Sequence, residues 1–261
     1  MTQTPPKLEW RQVSKRFDGE PVLDHLDLSL ETGRSLVIIG GSGQGKSVTL
    51  KLALGLMKPD SGQILLDGKP LPGFAGRTRR SLFRQTGVLF QGAALFDSLT
   101  VWENVAFRLI NADGVAPARA RKRALEALDQ VRLAATVADR HPSELSGGMQ
   151  KRAALARAIV AEPKILFFDE PTTGLDPVTA MTINALIVDQ VKRLGCTALS
   201  ITHDLASART IADEIALLDN GRICWRGRPA ELDTTDNPQV RHFVDDGLPR
   251  RGGLIPTPLS G

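Results

Sequence analysis

Two hydrophobic rhythms alternate along this chain. Leu8 to Phe17 and Val22 to Leu30 read as strands, the second with apolar residues at Leu26, Leu28 and Leu30, and they predict an antiparallel pair of sheet-edge character. Ser35 to Ile39 is a short apolar run ending at Gly40, the pattern of a strand buried on both faces. Helical spacing predicts a helix from Lys46 to Met57, stopped by Lys58-Pro59-Asp60-Ser61-Gly62. Gln63 to Leu66 and Gly87 to Phe90 predict further strands, and Leu71 to Arg84 between them is Pro/Gly-rich and then basic. Val101 to Asp139 has helical periodicity through Val105, Leu109, Ala124, Leu125 and Leu128.

After Ser146, helix and strand alternate: helix Gly147 to Ala161, strand Lys164 to Phe168, helix Val178 to Leu194, strand Thr197 to Thr202, helix Leu205 to Ala212, strand Glu214 to Leu218. This order predicts an α/β fold with a mostly parallel sheet, interrupted by a helical insert. Asn237 to Gly261 holds one short helical candidate, Val240 to Val244, before Gly- and Pro-rich sequence.

The length of 261 residues, with 42% hydrophobic and 24% charged, suits one large domain or two tightly joined ones. A net charge of +4 is compatible with an anionic membrane, nucleic acid or a nucleotide, and selects none of them. Cys196 and Cys224 lie in apolar, strand-like contexts without metal-ligand spacing, which fits buried thiols in a reducing compartment. No run reaches the roughly 18 to 20 apolar residues needed to cross a bilayer. Met1 to Lys7 has no signal-peptide apolar region, so a cytoplasmic chain able to dock on a membrane protein is expected.

The chemistry concentrates first at Gly40-Gly41-Ser42-Gly43-Gln44-Gly45-Lys46-Ser47, a G-x-x-x-x-G-K-[ST] phosphate loop between a strand and a helix. Its glycines let backbone amides curl around an anion, the helix through Lys46, Ser47 and Val48 aims its positive end at the phosphates, Lys46 reaches the β/γ oxygens and Ser47 suits Mg²⁺. The run Ile165-Leu166-Phe167-Phe168 ends in Asp169, a carboxylate suited to Mg²⁺, and Glu170, suited to polarise an attacking water. Read alone, that acidic pair could instead merely cap a helix, with Glu-Pro-Thr-Thr suiting a turn.

Leu145-Ser146-Gly147-Gly148-Met149-Gln150, followed by Asp169-Glu170 and Thr173-Gly174-Leu175-Asp176, resembles the ATP-binding cassette (ABC) family in order and spacing. The resemblance implies a P-loop NTPase of the ABC ATPase type, with a mostly parallel core sheet, an antiparallel β subdomain and an α-helical subdomain. It implies a cassette over residues 1–236, with the helical part at about 92–161, and a tail at 237–261. ATP and Mg²⁺ are the implied cofactors, with Glu170, His203, Lys46 and Gln91 in catalysis and Ser47, Gln91 and Asp169 at the metal. Phe17 would stack on adenine. Ser146, Gly147, Gly148 and Met149 would cover the ATP of a second copy paired head to tail, with Asp176 at the seam. A lone Phe17 is more often a core residue than a cofactor contact, and the same caution applies to a lone His203; the complete motif series gives them these roles.

Gln91-Gly92-Ala93-Ala94-Leu95-Phe96-Asp97-Ser98-Leu99-Thr100-Val101 is most similar to the ATPases of Mla/Mce lipid transporters, as are Met149 to Arg157 and Gln239 to Gly247. That similarity implies transmembrane permease subunits, an Mce-domain lipid-binding protein, a small STAS-domain subunit, a phospholipid-like cargo, and a peripheral location on the cytoplasmic face of the inner membrane. Leu95, Phe96 and Leu99 would meet the permease or pack in the core. Phe243 and Val244, apolar within Gly/Pro-rich sequence, predict a tail reaching the partner cassette. The basic run Arg77, Arg79, Arg80, Arg84 reads as a solvated face or an anionic-lipid contact. An importer ATPase for a polar solute such as an amino acid would share every ATP-site residue. Neither the long extension typical of sugar-importer cassettes nor the tandem cassettes or long coiled coil of soluble relatives acting on ribosomes or nucleic acid is expected from this sequence.

Overall fold

The computed structural model describes residues 5–71 and 82–247. Arg77, Arg79 and Arg80 of the basic run, and the tail past residue 247, lie outside the described residues. Strands β1 (Leu8–Phe17), β2 (Glu20–Leu30), β4 (Ser61–Leu66) and β5 (Lys69–Pro70) make an antiparallel sheet in the order β2-β1-β4-β5. β1 is therefore interior and not an edge: Trp10 pairs with Leu28 on one side and Ile64 on the other. Leu8, Trp10 and Val13 are buried accordingly.

The second sheet runs β10-β9-β3-β8-β7-β6, from β3 (Ser35–Ile39), β6 (Thr86–Leu89), β7 (Ile165–Asp169), β8 (Thr197–Ile201), β9 (Glu214–Asp219) and β10 (Arg222–Gly227). All its neighbours are parallel except β10, which turns back antiparallel on β9. Every residue of β3 and β8 is buried, as strands covered on both faces require. β10 is not announced by hydropathy, because Arg222 and Arg226 flank its apolar residues.

Helix α1 (Lys46–Ala53) stops short of Met57, and Gly55 follows at φ 63°. The helical stretch predicted over Val101 to Asp139 is two helices, α2 (Val101–Asn111) and α3 (Pro117–Gln130). They are parted near Gly114 at φ 67°, and Pro117 sits in the first turn of the second. α4 (Gly147–Ile159) begins at Ser146, whose side chain accepts from the Met149 amide at 3.3 Å. α5 (Pro177–Leu194) begins at Asp176, which accepts from the Thr179 amide at 3.0 Å, and ends at left-handed Gly195. α6 (Leu205–Ile211) connects β8 to β9.

The tail helix α7 (Pro238–Gly247) packs on its own chain. Val240 is fully buried, and Phe243 and Val244 lie against the same core cluster as the helices. The two apolar residues expected to seek a partner are thus partly covered at home.

α4 is rich in alanine for a steric reason. Ala153, Ala154, Ala156 and Ala158 are buried, and β6 comes so close that a Cβ on Gly87 would lie 2.0 Å from the Ala158 carbonyl oxygen. Gly87→Val is expected to lower stability by about 2 to 3 kcal/mol. Thermal unfolding should show this as a fall in Tm of roughly 5 to 10 °C; an unchanged Tm would show that strand and helix can separate without cost.

Candidate functional site

The phosphate loop leaves β3 at Gly40 and enters α1 at Lys46. Gly40, Gly43 and Gly45 have φ of 154°, 80° and 99°, which bends the chain back on itself. Side chains are also excluded by contact. A Cβ on Gly45 would lie 2.9 Å from the Val22 carbonyl oxygen and 2.8 Å from Leu23 Cδ2, and one on Gly40 would lie 2.4 Å from the Leu218 carbonyl oxygen. Lys46 Nζ donates to the carbonyls of Gly40 and Gly41 at 2.7 and 2.8 Å. Burial holds its pKa below the ordinary lysine value, against the opposing pull of Glu170 and Asp169.

A cavity of about 490 Å³ opens over this loop, lined by Ser42, Gly43, Gly45, Lys46, Ser47 and Val48, with Gln91, Glu170 and His203 facing them and Val22 from β2 completing the wall. Three distant stretches of sequence, near 46, 91 and 170–203, thus converge on one cavity. Val22 is a wall residue that hydropathy alone does not single out. Gly41 and Gln44 turn to the other side of the loop, where they line a second cavity of about 230 Å³ with Gln239, His242 and Phe243. There Gln44 Oε1 accepts from the Asn220 amide at 2.6 Å.

Glu170 is held tightly. Its φ of 48° is unusual for a non-glycine residue, and its amide donates to the Ile201 carbonyl at 3.0 Å. Its carboxylate accepts from Thr173 Oγ1 at 2.9 Å and Thr202 Oγ1 at 3.2 Å, and Oε1 lies 2.9 Å from His203 Nδ1. Thr202 is a supporting group outside the motif series, whereas Thr173 opens the Thr173-Gly174-Leu175-Asp176 motif.

Asp169, at the end of β7, does not line the cavity. Its Oδ1 is buried and has no hydrogen-bond partner among the described residues. Burial, then the neighbouring Glu170 charge, raises its pKa, and Lys51, Lys151 and Lys46 only partly oppose this. A buried carboxylate oxygen without a partner, one residue from Glu170 on the cavity wall, fits a divalent cation, with phosphate and water completing its shell. No cluster of three His, Cys, Asp or Glu side chains is present among the described residues, so the protein alone does not build a cage.

Phe17 ends β1 opposite Glu20 and is 41% exposed, with Lys15 Nζ 5.6 Å from its ring centroid. The structure does not bring it into the cavity wall, although its hairpin contributes Val22. Nor do Ser146, Gly147, Gly148, Met149 or Asp176 line the cavity. They form a separate locus at the starts of α4 and α5, where a Cβ on Gly148 would lie 2.6 Å from Thr179 Cγ2. Leu95 packs against the core, Leu99 is half-buried, and Phe96 is exposed, its ring 4.7 Å from that of Phe107.

A phosphate loop between a buried parallel strand and a helix, facing an acidic strand end, defines a P-loop ATPase of the α/β class. Residues 23–173 match the model of the ABC transporter family, and the chain belongs to that family. It is 41% identical over 216 residues to the methionine import ATP-binding protein MetN of Rhizobium johnstonii, covering 83% of this chain and 59% of that protein's length. It is 37% identical over 257 residues to protein trigalactosyldiacylglycerol 3, chloroplastic, of Arabidopsis thaliana, covering 92% of this chain and 74% of that one.

Among solved structures, a dimeric ATP-binding cassette in a post-hydrolysis state with ADP and Pi superposes with a TM-score of 0.77 at 31% identity, covering 85% of this chain and 98% of that one. The structure of cbiO1 from Clostridium perfringens, part of the ABC transporter complex cbiONQ, gives 0.80 at 32% identity, covering 94% and 97%. The chain is thus an ATP-hydrolysing cassette using ATP and Mg²⁺. No described helix is long and apolar enough to cross a membrane.

The pKa of Asp169 gives a signed prediction. Because it is raised in the folded state, ionised Asp169 opposes folding at neutral pH, and this cost fades as pH falls through the raised value toward the ordinary aspartate range. Asp169→Asn should therefore raise the Tm of the nucleotide-free protein near pH 7, with the gain vanishing toward pH 4. It should also remove most of the additional stabilisation that Mg²⁺ brings to the ATP-bound protein. Differential scanning fluorimetry across pH, with and without Mg-ATP, reads both effects; a Tm gain that persists at pH 4 would assign it to packing.

Proposed function

We propose that this chain is the ATPase of a lipid-moving ABC transporter and works as a head-to-tail pair with a second copy of itself. The pairing rests on one observation: the glycine-opened start of α4 and the capped start of α5 lie away from the chain's own phosphate cavity. The start of α4 presents the amides of its glycines, suited to an anion held by another subunit, and the Asp176-capped start of α5 flanks it. In this reading Lys46, with the loop residues Gly40 to Val48, grips the phosphates, and Ser47, Gln91 and Asp169 hold Mg²⁺, which neutralises developing phosphate charge. Glu170 orients the attacking water, His203 contacts the γ-phosphate, and Ser146 to Met149 with Asp176 close the partner's site. Phe17, exposed on the hairpin beside the cavity, is the surface offered to adenine. Residues 1–236 form the cassette, and 237–261 the tail.

For the cargo, support comes from the wording of Gln91 to Val101 and from likeness over 92% of the chain to a protein named for a galactolipid. The exposed Phe96 and Phe107 rings offer an apolar face to transmembrane permease subunits, which would hold this chain peripherally on the cytoplasmic side of the inner membrane. Mce-domain and STAS-domain subunits complete the assembly in this reading. A second reading, amino-acid import, is favoured by the 41% identity to a methionine import protein.

Two measurements test these readings. Glu170→Gln should cut steady-state hydrolysis at least about 100-fold while keeping ATP affinity, and should shift the protein to an ATP-stabilised dimer on size exclusion. Hydrolysis at the parent rate would remove Glu170 from the role given to it. Purification of the native assembly in mild detergent separates the cargo readings: copurifying phospholipid with an Mce-domain chain supports lipid transport, whereas an amino-acid permease overturns it.

A further inference from the structure

The helix that opens with Ser146 reaches back to the phosphate cavity through a buried cation. Lys151, in the second turn of α4, is 5% exposed. Its Nζ donates to the backbone carbonyl of Gln91 and, at 3.4 Å, to that of Glu170. Gln91 and Glu170 are the two cavity-wall residues that come from the far side of the phosphate loop together with His203. Among the described residues, Lys151 has no carboxylate within ion-pairing distance, so its bonds run to main-chain oxygens.

A buried ammonium is costly to keep. Burial lowers the Lys151 pKa, with Asp169 and Glu170 only partly opposing. A Met of similar length would fill the same space without that desolvation, so packing alone does not account for a lysine here.

A second cation on the same helix acts on the same segment. Arg157 donates to the carbonyls of Ala94 at 2.6 Å and Ala93 at 2.7 Å. Both alanines are left-handed, at φ 49° and 61°, a conformation that needs external support in residues carrying a Cβ. One helix thus grips carbonyls at 91, 93 and 94, and touches the one at 170.

We infer that Lys151 is a positioning residue: it fixes the Gln91 and Glu170 main chain to α4, so that a displacement of the Ser146 end of that helix moves both residues over the phosphates together. This rests on the roles proposed above for Gln91 and Glu170. Lys151 lines no part of the cavity over the phosphate loop. Its loss therefore acts on turnover and not on nucleotide affinity.

The test uses the full chain with Lys151→Met, Lys151→Arg and Glu170→Gln side by side, measuring kcat and KM for Mg-ATP, Kd for a fluorescent ATP analogue, and Tm. Lys151→Met is expected to fold, to bind the analogue within about twofold of the parent, and to lose at least about tenfold in kcat; Lys151→Arg, which still donates to carbonyls, should recover most of that loss. The inference is overturned if kcat of Lys151→Met stays within twofold of the parent, if its Kd weakens as much as kcat falls, or if Lys151→Arg is equally impaired. Should Lys151→Met not fold, Lys151→Gln, with one donor group on a shorter stem, takes its place; at least a threefold kcat loss is then expected and an unchanged kcat overturns the inference. Hydrolysis surviving in Glu170→Gln would mark failure of the underlying site reading, whereas loss there with full activity in Lys151→Met would reject Lys151 alone.

Discussion

The nucleotide site depends on a contact that leaves no room for a side chain. Gly45 lies against the Val22 carbonyl and Leu23, where the antiparallel sheet meets the end of the parallel one, and Gly40 lies against the Leu218 carbonyl from β9. The loop is therefore clamped at both ends by backbone, and its amides are set in place before any phosphate arrives. That arrangement avoids much of the ordering cost that a flexible loop would incur on binding. Lys46 is handled the same way: its ammonium bonds to the Gly40 and Gly41 carbonyls, so the charge is satisfied by the loop's own main chain.

Opposite the loop, the same economy appears in a different form. Glu170 sits in a left-handed conformation that its own Cβ disfavours, and it is kept there by Thr173, Thr202, His203 and the Ile201 carbonyl. The strain and the orphaned oxygen of Asp169 lie in adjacent residues at the end of one buried strand. Both features cost stability in the folded chain, and in the site reading proposed above both would serve phosphate and a divalent cation. The raised pKa of Asp169 is the electrostatic expression of that cost.

The helices link these parts. α4 starts at the glycine pair that stands apart from the cavity, packs against β6 at Gly87 with almost no clearance, and carries the cations that grip the 91–94 segment. Close packing without gaps lets such a helix transmit displacement and not absorb it. The segment it grips continues into the exposed Phe96 and α2, where buried Asn104 bonds to the main chain of Phe96, Leu99 and Thr100.

Local sequence determined the motif-bearing elements. The phosphate loop, the buried runs at 35–39 and 165–168, and the glycine-opened α4 are legible because each couples a short pattern to a backbone requirement: glycine for positive φ, apolar residues for a strand covered on both faces, serine for a helix cap. Non-local pairing decided the rest. β1 became interior because two strands pair with it, β10 formed on the strength of β9 and not of its own hydropathy, and α7 found a core on its own chain that no local pattern reveals. The supports of Glu170 and the grip of Lys151 on Gln91 span separations of up to 60 residues in sequence. Bonds from side chains to distant carbonyls leave no periodic trace along the chain, so only the tertiary structure could show which side chains hold the residues naming the ATP site in place.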